Sequence, residues 1–119
     1  MQPMELGHAG TPLRRELVDA VLRGDKTATA GLHGEDVLAK VGERWLLLDF
    51  DDKPVAVVET TEVRVVRAGD MDLDFARDEG EGFETVADWR AAHQRFWSDR
   101  EITDDTLIVA ERFRLVEHL

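Results

Sequence analysis

The sequence predicts an α+β fold, in the form of a small β-barrel flanked by helices. Two segments carry apolar residues at helical spacing, and several others are apolar runs typical of strands. The connections between the central runs are too short for parallel crossovers, so these strands are expected to be antiparallel. With 119 residues, 43% hydrophobic and 34% charged, the chain is expected to form one domain over residues 1–119, with residues 1–10 as a loose lead-in.

The first helix is predicted over residues 12–23. Thr11 is placed to cap it, Pro12 suits its first turn, and Gly24 can take the left-handed conformation that ends it. Arg14 opposes the helix dipole near this start, and the sequence offers no reason for it. The face expected to be buried carries Leu13, Leu17, Val18, Val21 and Leu22.

The β-structure is predicted from apolar runs separated by turn residues. The segment DDKP at residues 51–54 is typical of a turn, and residues 35–39 are expected to form one short helical turn. The predicted strands cover residues 26–30, 45–50, 55–60, 62–67 and 107–116.

Two further helices are predicted in the second half of the chain. Asp70 is expected to cap a short one, which ends at the acidic, glycine-containing residues 78–82. Thr85 caps the next, with Asp88 at the position that completes a capping box. Its apolar stripe carries Val86, Trp89, His93, Phe96 and Trp97.

The net charge of the chain disfavours long nucleic acids as ligands. A net charge of −11 repels long polyanions, because nucleic-acid binding draws on Lys and Arg at the phosphates. A small neutral ligand or a very short nucleic acid suits the chain better. The absence of cysteine excludes disulfides and cysteine-based zinc sites. With no signal sequence and no apolar run of about 20 residues, we expect a cytoplasmic protein without membrane contact.

The segment GDKTAT at residues 24–29 is the first candidate for chemistry. Lys26 is either a surface lysine near a helix end or a base in a cleft, which requires burial or neighbouring cations to lower its pKa. Thr27 and Thr29 either simply favour a strand or supply a hydroxyl nucleophile beside the amine. In a regular strand Lys26 and Thr29 face opposite sides, so they converge only if the chain bends between them.

Several later side chains are candidates as well. Strand alternation puts Glu59 and Glu111 on inward faces, where each either serves a site or pairs with an arginine such as Arg112 or Arg64. Glu79, in the acidic loop, is either a solvated loop acid or a group that orients the lysine or carries a proton. The histidines lack ligand spacing, so no metal site is predicted. Trp89, Phe96 and Trp97 are either core residues or rings on which a base stacks. His93, on the same apolar stripe, is expected to be a core histidine bonded to the backbone.

The segment at residues 24–29 resembles the G-x-K-T-x-T signature of the ASCH domain family, which is related to PUA domains. Later segments resemble the family's small bacterial stand-alone members, in the same order along most of the chain. These segments are VETTEV at residues 58–63, DEGEG at 78–82, WRAAH at 89–93 and ERF at 111–113.

The resemblance implies a β-barrel with flanking helices and a role connected with RNA or nucleosides. Some small ASCH proteins are amidohydrolases that remove the acetyl group from N4-acetylcytidine. Carried over by motif, the catalytic set is Lys26, Thr29 and Glu79, with Glu81 as the neighbouring alternative to Glu79. We expect no cofactor, and we expect substrate contacts from Thr27, Glu59, Trp89, His93, Glu111 and Arg112.

Other functions remain open at this stage. A non-catalytic RNA- or nucleotide-binding module would need a local basic patch, for which Arg64, Arg67, Arg112 and Arg114 are candidates. A metal-assisted ribonuclease would need Glu59, Glu79 and Glu111 to hold a divalent ion. A partner-binding domain with an inert cleft would need none of these. The sequence leaves the oligomeric state undetermined.

Overall fold

The computed structural model describes residues 1–35 and 38–119, which form one mixed sheet with helices packed against it. The strands are β1 (Gln2–Met4), β2 (Ala28–Leu32), β3 (Arg44–Leu48), β4 (Pro54–Arg67) and β5 (Leu107–His118). The α-helices are α1 (Pro12–Arg23), α2 (Leu73–Asp78) and α3 (Val86–Phe96), and a 3₁₀ turn covers Ala68–Asp70. None of the described helices is long and apolar enough to cross a membrane.

The sheet confirms the predicted α+β class but is not closed into a barrel. The strand order is β1-β3-β4-β5-β2. All neighbouring pairs are antiparallel except β1 with β3. In the described part of the chain β1 and β2 are therefore the two edges. These two edges are not hydrogen-bonded to each other, so the sheet of the described residues stays open.

The expectation of a loose lead-in is corrected by β1. Gln2–Met4 pairs in parallel with Trp45–Leu47, and Met4 and Leu6 are buried in the core. A strand of three residues gives too short an alternation to recognise, and its partner lies far along the chain. The segment is fixed by tertiary contacts.

Helix α1 has the predicted bounds and caps. Thr11 Oγ1 accepts from the backbone N–H of Arg14, and Gly24 takes the left-handed conformation with φ 87°. Arg14 itself is buried and donates to the backbone oxygens of Leu6, Gly7 and Asp49 and to the Asp52 carboxylate. These contacts explain the arginine at this end of the helix: it ties α1 to the lead-in and to the turn between β3 and β4.

The two strands predicted at residues 55–60 and 62–67 are one strand, β4. Its pairing with β5 shifts between Thr60 and Glu62, and this bulge interrupts the alternation that the sequence shows. β3 ends earlier than predicted, since the Asp49 carboxylate accepts from the backbone N–H groups of Asp51 and Lys53 and forms the turn.

The later helices are confirmed, with one change of cap. Asp72 rather than Asp70 caps α2, because residues 68–70 form the 3₁₀ turn. Thr85 and Asp88 form the predicted capping box of α3. The helical turn expected at residues 35–39 falls partly outside the described residues, and residues 38–40 are not helical.

Two apolar clusters stabilise the fold. One joins α2 and α3 to β2 and β5 around Phe75, Trp89 and Ile108. The other joins α1 and the first residues to β3 and β4 around Val21, Leu47 and Phe113. A cleft lies between these two clusters. Residues of α1 and the residues after β1 line one side of it, and residues of α3 line the other.

Candidate active-site cleft

The cleft has a volume of about 990 Å³, which is enough for a nucleoside-sized ligand. Its floor is formed by the central part of β2 and β5, and its walls come from residues 2–8, α1, α3 and the acidic loop (residues 78–82). The polar and aromatic residues that line it include Lys26, Thr29, Trp45, Glu79, Glu81, His93, Trp97 and Glu111.

The segment between α1 and β2 brings Lys26 and Thr29 to the same cleft. The backbone N–H groups of Asp25 and Lys26 both donate to the Ala20 oxygen, so the chain is still turning at Lys26. β2 begins only at Ala28. Lys26 therefore precedes the strand, and the alternation that would place its side chain on the face opposite to Thr29 does not apply. Their side chains are nevertheless not hydrogen-bonded to each other in the described structure.

Lys26 is a buried amine. Only 2% of the residue is exposed, and Nζ donates to the backbone oxygens of Ala28 at 2.8 Å and Glu79 at 3.1 Å. Burial lowers the pKa of Lys26, although the charges of Glu79 and Glu81 act in the opposite direction. A buried amine with a lowered pKa is the state that a lysine base requires.

Glu79 connects the groups on this wall of the cleft. Its carboxylate accepts a hydrogen bond from Trp89 Nε1. Its other oxygen lies 3.4 Å from His93 Nε2 and 4.0 Å from Lys26 Nζ. With 1% of the residue exposed, the carboxylate depends on these three partners in place of water.

The acidic loop is held close to Lys26 by its backbone. The N–H of Thr27 donates to the Asp78 oxygen at 2.7 Å. Gly80, at φ +73°, lies so near the chain that a Cβ there would be 2.7 Å from Asp25 O and Lys26 Cα. A glycine is therefore required at this position for the loop to bring Glu79 beside Lys26.

His93 is buried against Trp89, with ring centroids 4.3 Å apart. Its Nδ1 lies 2.8 Å from the Trp89 backbone oxygen, which fixes the ring. Burial by itself lowers the pKa of His93, but the hydrogen bond and charge of Glu79 outweigh it, and the net pKa is raised. When the ring is protonated, both of its nitrogens donate, one to the Trp89 backbone oxygen and one toward Glu79.

Glu81 lies at the exposed side of the same group. Desolvation raises the pKa of Glu81, and the negative charge of Glu79 adds to this rise. The positive charge of Lys26 acts in the opposite direction. Glu79, Glu81 and His93 present ligand atoms within 4.8 Å of one another, a set that can hold a metal ion. The search for histidine spacing missed this set, because two of its members are carboxylates from a loop.

Glu111 lies on the floor of the cleft, directly across the β2–β5 ladder from Thr29. Only 8% of the residue is exposed. Burial raises the pKa of Glu111 to about 7, with a smaller contribution from the Glu43 charge, although a hydrogen bond from Thr60 opposes the change. The predicted inward position of Glu111 is confirmed by its burial, and Thr60 rather than an arginine is the side chain that favours its ionised form.

Four residues expected to contact substrate lie elsewhere. Thr27 is outside the cleft lining and uses its backbone to join the acidic loop to Phe113 of β5. Glu59 pairs with Arg44 at 3.1 Å and with Arg114 at 3.0 Å, because Thr60 and not Glu59 is on the buried side of β4.

The other two are Trp89 and Arg112. Trp89 is fully buried and reaches the cleft only through its hydrogen bond to Glu79. Arg112, the neighbour of Glu111 on the opposite side of β5, pairs with Glu62 and Asp78 and lies 5.3 Å from the Phe75 ring.

The sequence reasoning missed two contributors on the β3–β4 side. Trp45 lines the cleft, and its Nε1 donates to Thr60 Oγ1 at 3.1 Å. Ala56, Val58 and Thr60 are all buried and alternate along β4. This alternation at the even-numbered positions is the sequence signal that places Thr60 on the inward face.

The two alternative constellations are not assembled. Arg64, Arg67, Arg112 and Arg114 all carry acidic partners. Glu59 is held by arginines away from Glu79 and Glu111, which line the cleft.

The backbone N–H groups of Asp25, Lys26 and Thr27 all donate to backbone oxygens of the protein, so they do not form an oxyanion hole.

Comparisons with known proteins agree with this fold. A model of the ASCH domain family matches residues 4–117. An ASCH domain structure from Lactobacillus crispatus JV V101 is 32% identical with a TM-score of 0.76, over 86% of this chain and 71% of that one. Protein EF3133 from Enterococcus faecalis V583 is 26% identical with a TM-score of 0.86, over 99% of this chain and 77% of that one.

A third structure supports the fold alone. The hypothetical protein PH0355 is 15% identical with a TM-score of 0.65, over 87% of this chain and 94% of that one. Among curated protein sequences, none is significantly similar to this chain.

Proposed function

This chain belongs to the ASCH domain family, and we propose that it is a hydrolase that releases the acyl group from an N4-acylated cytidine-like nucleoside. The observation that carries the proposal is the buried amine of Lys26, which lines the same cleft as the Thr29 hydroxyl and the Glu79 carboxylate. A nucleophile, a base of lowered pKa and an acid in one cleft are the parts that acyl transfer needs.

The hydrogen bonds of Lys26 support its use as a base. A neutral amine has two hydrogens and one lone pair, and the backbone oxygens of Ala28 and Glu79 accept both hydrogens. The lone pair is then left to accept a proton. Glu79, 4.0 Å away, is close enough to stabilise the ammonium that forms.

The reaction has two halves. Thr29 Oγ attacks the amide carbonyl carbon while Lys26 takes the hydroxyl proton, and the bond from carbon to N4 then breaks. Glu79 passes that proton from Lys26 to N4, and cytidine leaves. The acyl group stays behind as an ester on Thr29. Water, deprotonated by Lys26, attacks the ester carbonyl, and its proton returns to Thr29 as the carboxylic acid is released.

The charges around the cleft support a neutral substrate. Its lining contains the acids Glu5, Glu79, Glu81 and Glu111 against Lys26 and Arg95, together with the histidines His8 and His93. A phosphate would meet unfavourable potential here. The arginines considered for RNA binding are ion-paired, which disfavours the binding-module alternative. The Glu79 carboxylate accepts from Trp89 Nε1 and lies 3.4 Å from His93 Nε2, which likewise disfavours a divalent cation at that carboxylate.

The test is turnover of N4-acetylcytidine, followed by chromatography of the released cytidine. Thr29→Val keeps the shape and removes the hydroxyl, so turnover should fall by about 10³-fold or more. Thr27→Val is the matched control, because it removes a hydroxyl from the same segment outside the cleft lining, and it should keep near-wild-type turnover. Absence of turnover by the wild-type protein, or full turnover by Thr29→Val, would exclude the proposed reaction.

A further inference from the structure

We propose that Glu111, supported by Thr60 and Trp45, is the nucleobase-recognition group of the cleft, and that it binds an edge with a ring-nitrogen acceptor beside an exocyclic N–H donor. The proposal rests on the proposed function for the choice of cytosine, whose N3 and N4–H form such an edge. It adds a specificity-determining residue to the three assigned to the reaction.

The position of Glu111 fits this role. It is the directly opposed partner of Thr29 across β2 and β5, and opposed residues of an antiparallel pair have Cβ atoms roughly 5 Å apart on one face. A base edge held by the Glu111 carboxyl would bring the acyl group on N4 beside the Thr29 hydroxyl. No other residue on the described floor of the cleft combines a carboxyl group with this register.

The hydrogen-bond network fixes the orientation of the carboxyl. Trp45 Nε1 donates to Thr60 Oγ1 at 3.1 Å, which leaves the hydroxyl proton of Thr60 for the Glu111 carboxyl, whose pKa the Thr60 hydroxyl lowers against the larger effect of burial. The Glu111 oxygen that accepts from Thr60 has a second lone pair for N4–H. The other oxygen, when protonated, donates to N3.

Trp45 supplies the second element of the subsite. Its ring lines the cleft and is half-buried, and its nitrogen is fixed on Thr60. A ring held in this way offers a face on which a base stacks, worth about 1–3 kcal/mol per base by alanine substitution in other proteins.

The protonation state of Glu111 makes the inference testable. The pKa of Glu111 is raised to about 7, so the carboxyl is mostly neutral at pH 6 and mostly ionised at pH 8. Only the neutral form donates to N3. The charged or titratable groups around it are Glu43 before β3, Lys26 before β2, Glu79 and Glu81 in the acidic loop, His93 and Arg95 of α3, and Glu5 and His8 after β1.

The experiment measures cytidine binding by calorimetry at pH 6 and pH 8. Wild-type affinity should fall about tenfold over this range, as the neutral fraction of Glu111 does. Glu111→Gln keeps a donor and an acceptor but cannot titrate, so it should bind at both pH values with nearly equal affinity. Glu111→Leu, checked for folding by circular dichroism, should bind at least tenfold more weakly at pH 6.

The outcomes separate this inference from the proposed reaction. Cytidine is the product and cannot turn over, so its binding needs no nucleophile. A tenfold pH dependence that persists in Glu111→Gln would belong to the other titratable groups and would overturn the assignment, as would absence of cytidine binding at pH 6. Binding as expected without hydrolysis of N4-acetylcytidine would overturn only the reaction.

Discussion

At the scale of single residues, burial separates two strand carboxylates with the same sequence pattern. Glu59 lies in an exposed network with Arg44 and Arg114, whose hydrogen bonds lower its pKa. Glu111 lies in the cleft, where desolvation raises its pKa to about 7. The same side chain is therefore a structural ion-pair member in one place and a proton donor near neutral pH in the other.

This difference predicts opposite pH dependences of stability. The folded-state pKa of Glu111 is raised from 4.5 to about 7, so its ionisation penalises folding as pH rises through that window. Relative to wild type, Glu111→Gln should gain stability between pH 4.5 and pH 7, by up to roughly 3 kcal/mol. Urea unfolding at several pH values measures the difference, in which the other titrating groups cancel.

Glu59→Gln is the control for that measurement. The Glu59 pKa is lowered, so its contribution is present above the unfolded-state pKa and is lost as pH falls. The variant should be slightly less stable than wild type at neutral pH, and the deficit should vanish on acidification. A Glu111→Gln difference that does not change with pH would contradict the burial argument.

At the scale of elements, the site depends on how closely the acidic loop packs on the turn between α1 and β2. Two backbone contacts define this packing: Thr27 N–H with the Asp78 oxygen, and Gly80 against Asp25 and Lys26. The loop brings Glu79 to Lys26 and to the α3 residues at once. Neither the turn nor the loop forms a site alone.

Gly80→Ala should therefore disturb both stability and turnover. A methyl group there would lie 2.7 Å from backbone atoms, which cannot yield as a flexible side chain can. We expect a loss of about 2 kcal/mol or more, together with reduced turnover as Glu79 and Lys26 separate. Thermal unfolding and the N4-acetylcytidine assay measure the two effects.

Gly82→Ala is its matched control. Gly82 also has a positive φ of +81°, but an added Cβ would meet nothing within 4 Å. It should cost only the backbone strain, about 1 kcal/mol, and leave turnover nearly intact. Equal effects of the two substitutions would refute the close-approach argument.

At the scale of the whole molecule, Arg14 links segments that are distant in sequence. It joins α1 to Leu6 and Gly7 after β1 and to Asp49 and Asp52 in the β3–β4 turn. Residues 2–8 also form part of the cleft wall. The shape of the cleft thus depends on a buried cation that takes no part in the chemistry.

Arg14→Met should destabilise the protein by about 3 kcal/mol, because it leaves several buried acceptors without a donor. Amide hydrogen exchange should become faster for Met4 and for Trp45–Leu47, its β3 neighbours. Arg23→Met, which removes an exposed arginine paired with its neighbour Asp25, should change stability by less than about 0.5 kcal/mol. Similar unfolding midpoints for both variants would contradict this role of Arg14.

Much of the fold is readable from local patterns. The bounds of α1, the capping box of α3 and the long strand at the end of the chain follow from short-range spacing and capping chemistry. The three-residue β1, the bulge at Thr60 and the shift of the α2 cap to Asp72 were not predicted, because each depends on pairing or packing with residues far along the chain.

By itself the sequence determined the α+β class, the family signature at residues 24–29 and the inward position of Glu111. The tertiary structure decided that Lys26 escapes strand alternation, that Glu59, Trp89 and Arg112 lie outside the cleft lining, and that Thr60 and Trp45 support Glu111. The physical reason is the difference between local interactions along the chain and long-range packing between elements. Spacing along the chain reports which face of an element a side chain occupies, whereas burial, pKa and hydrogen-bond partners depend on which other elements pack against that face.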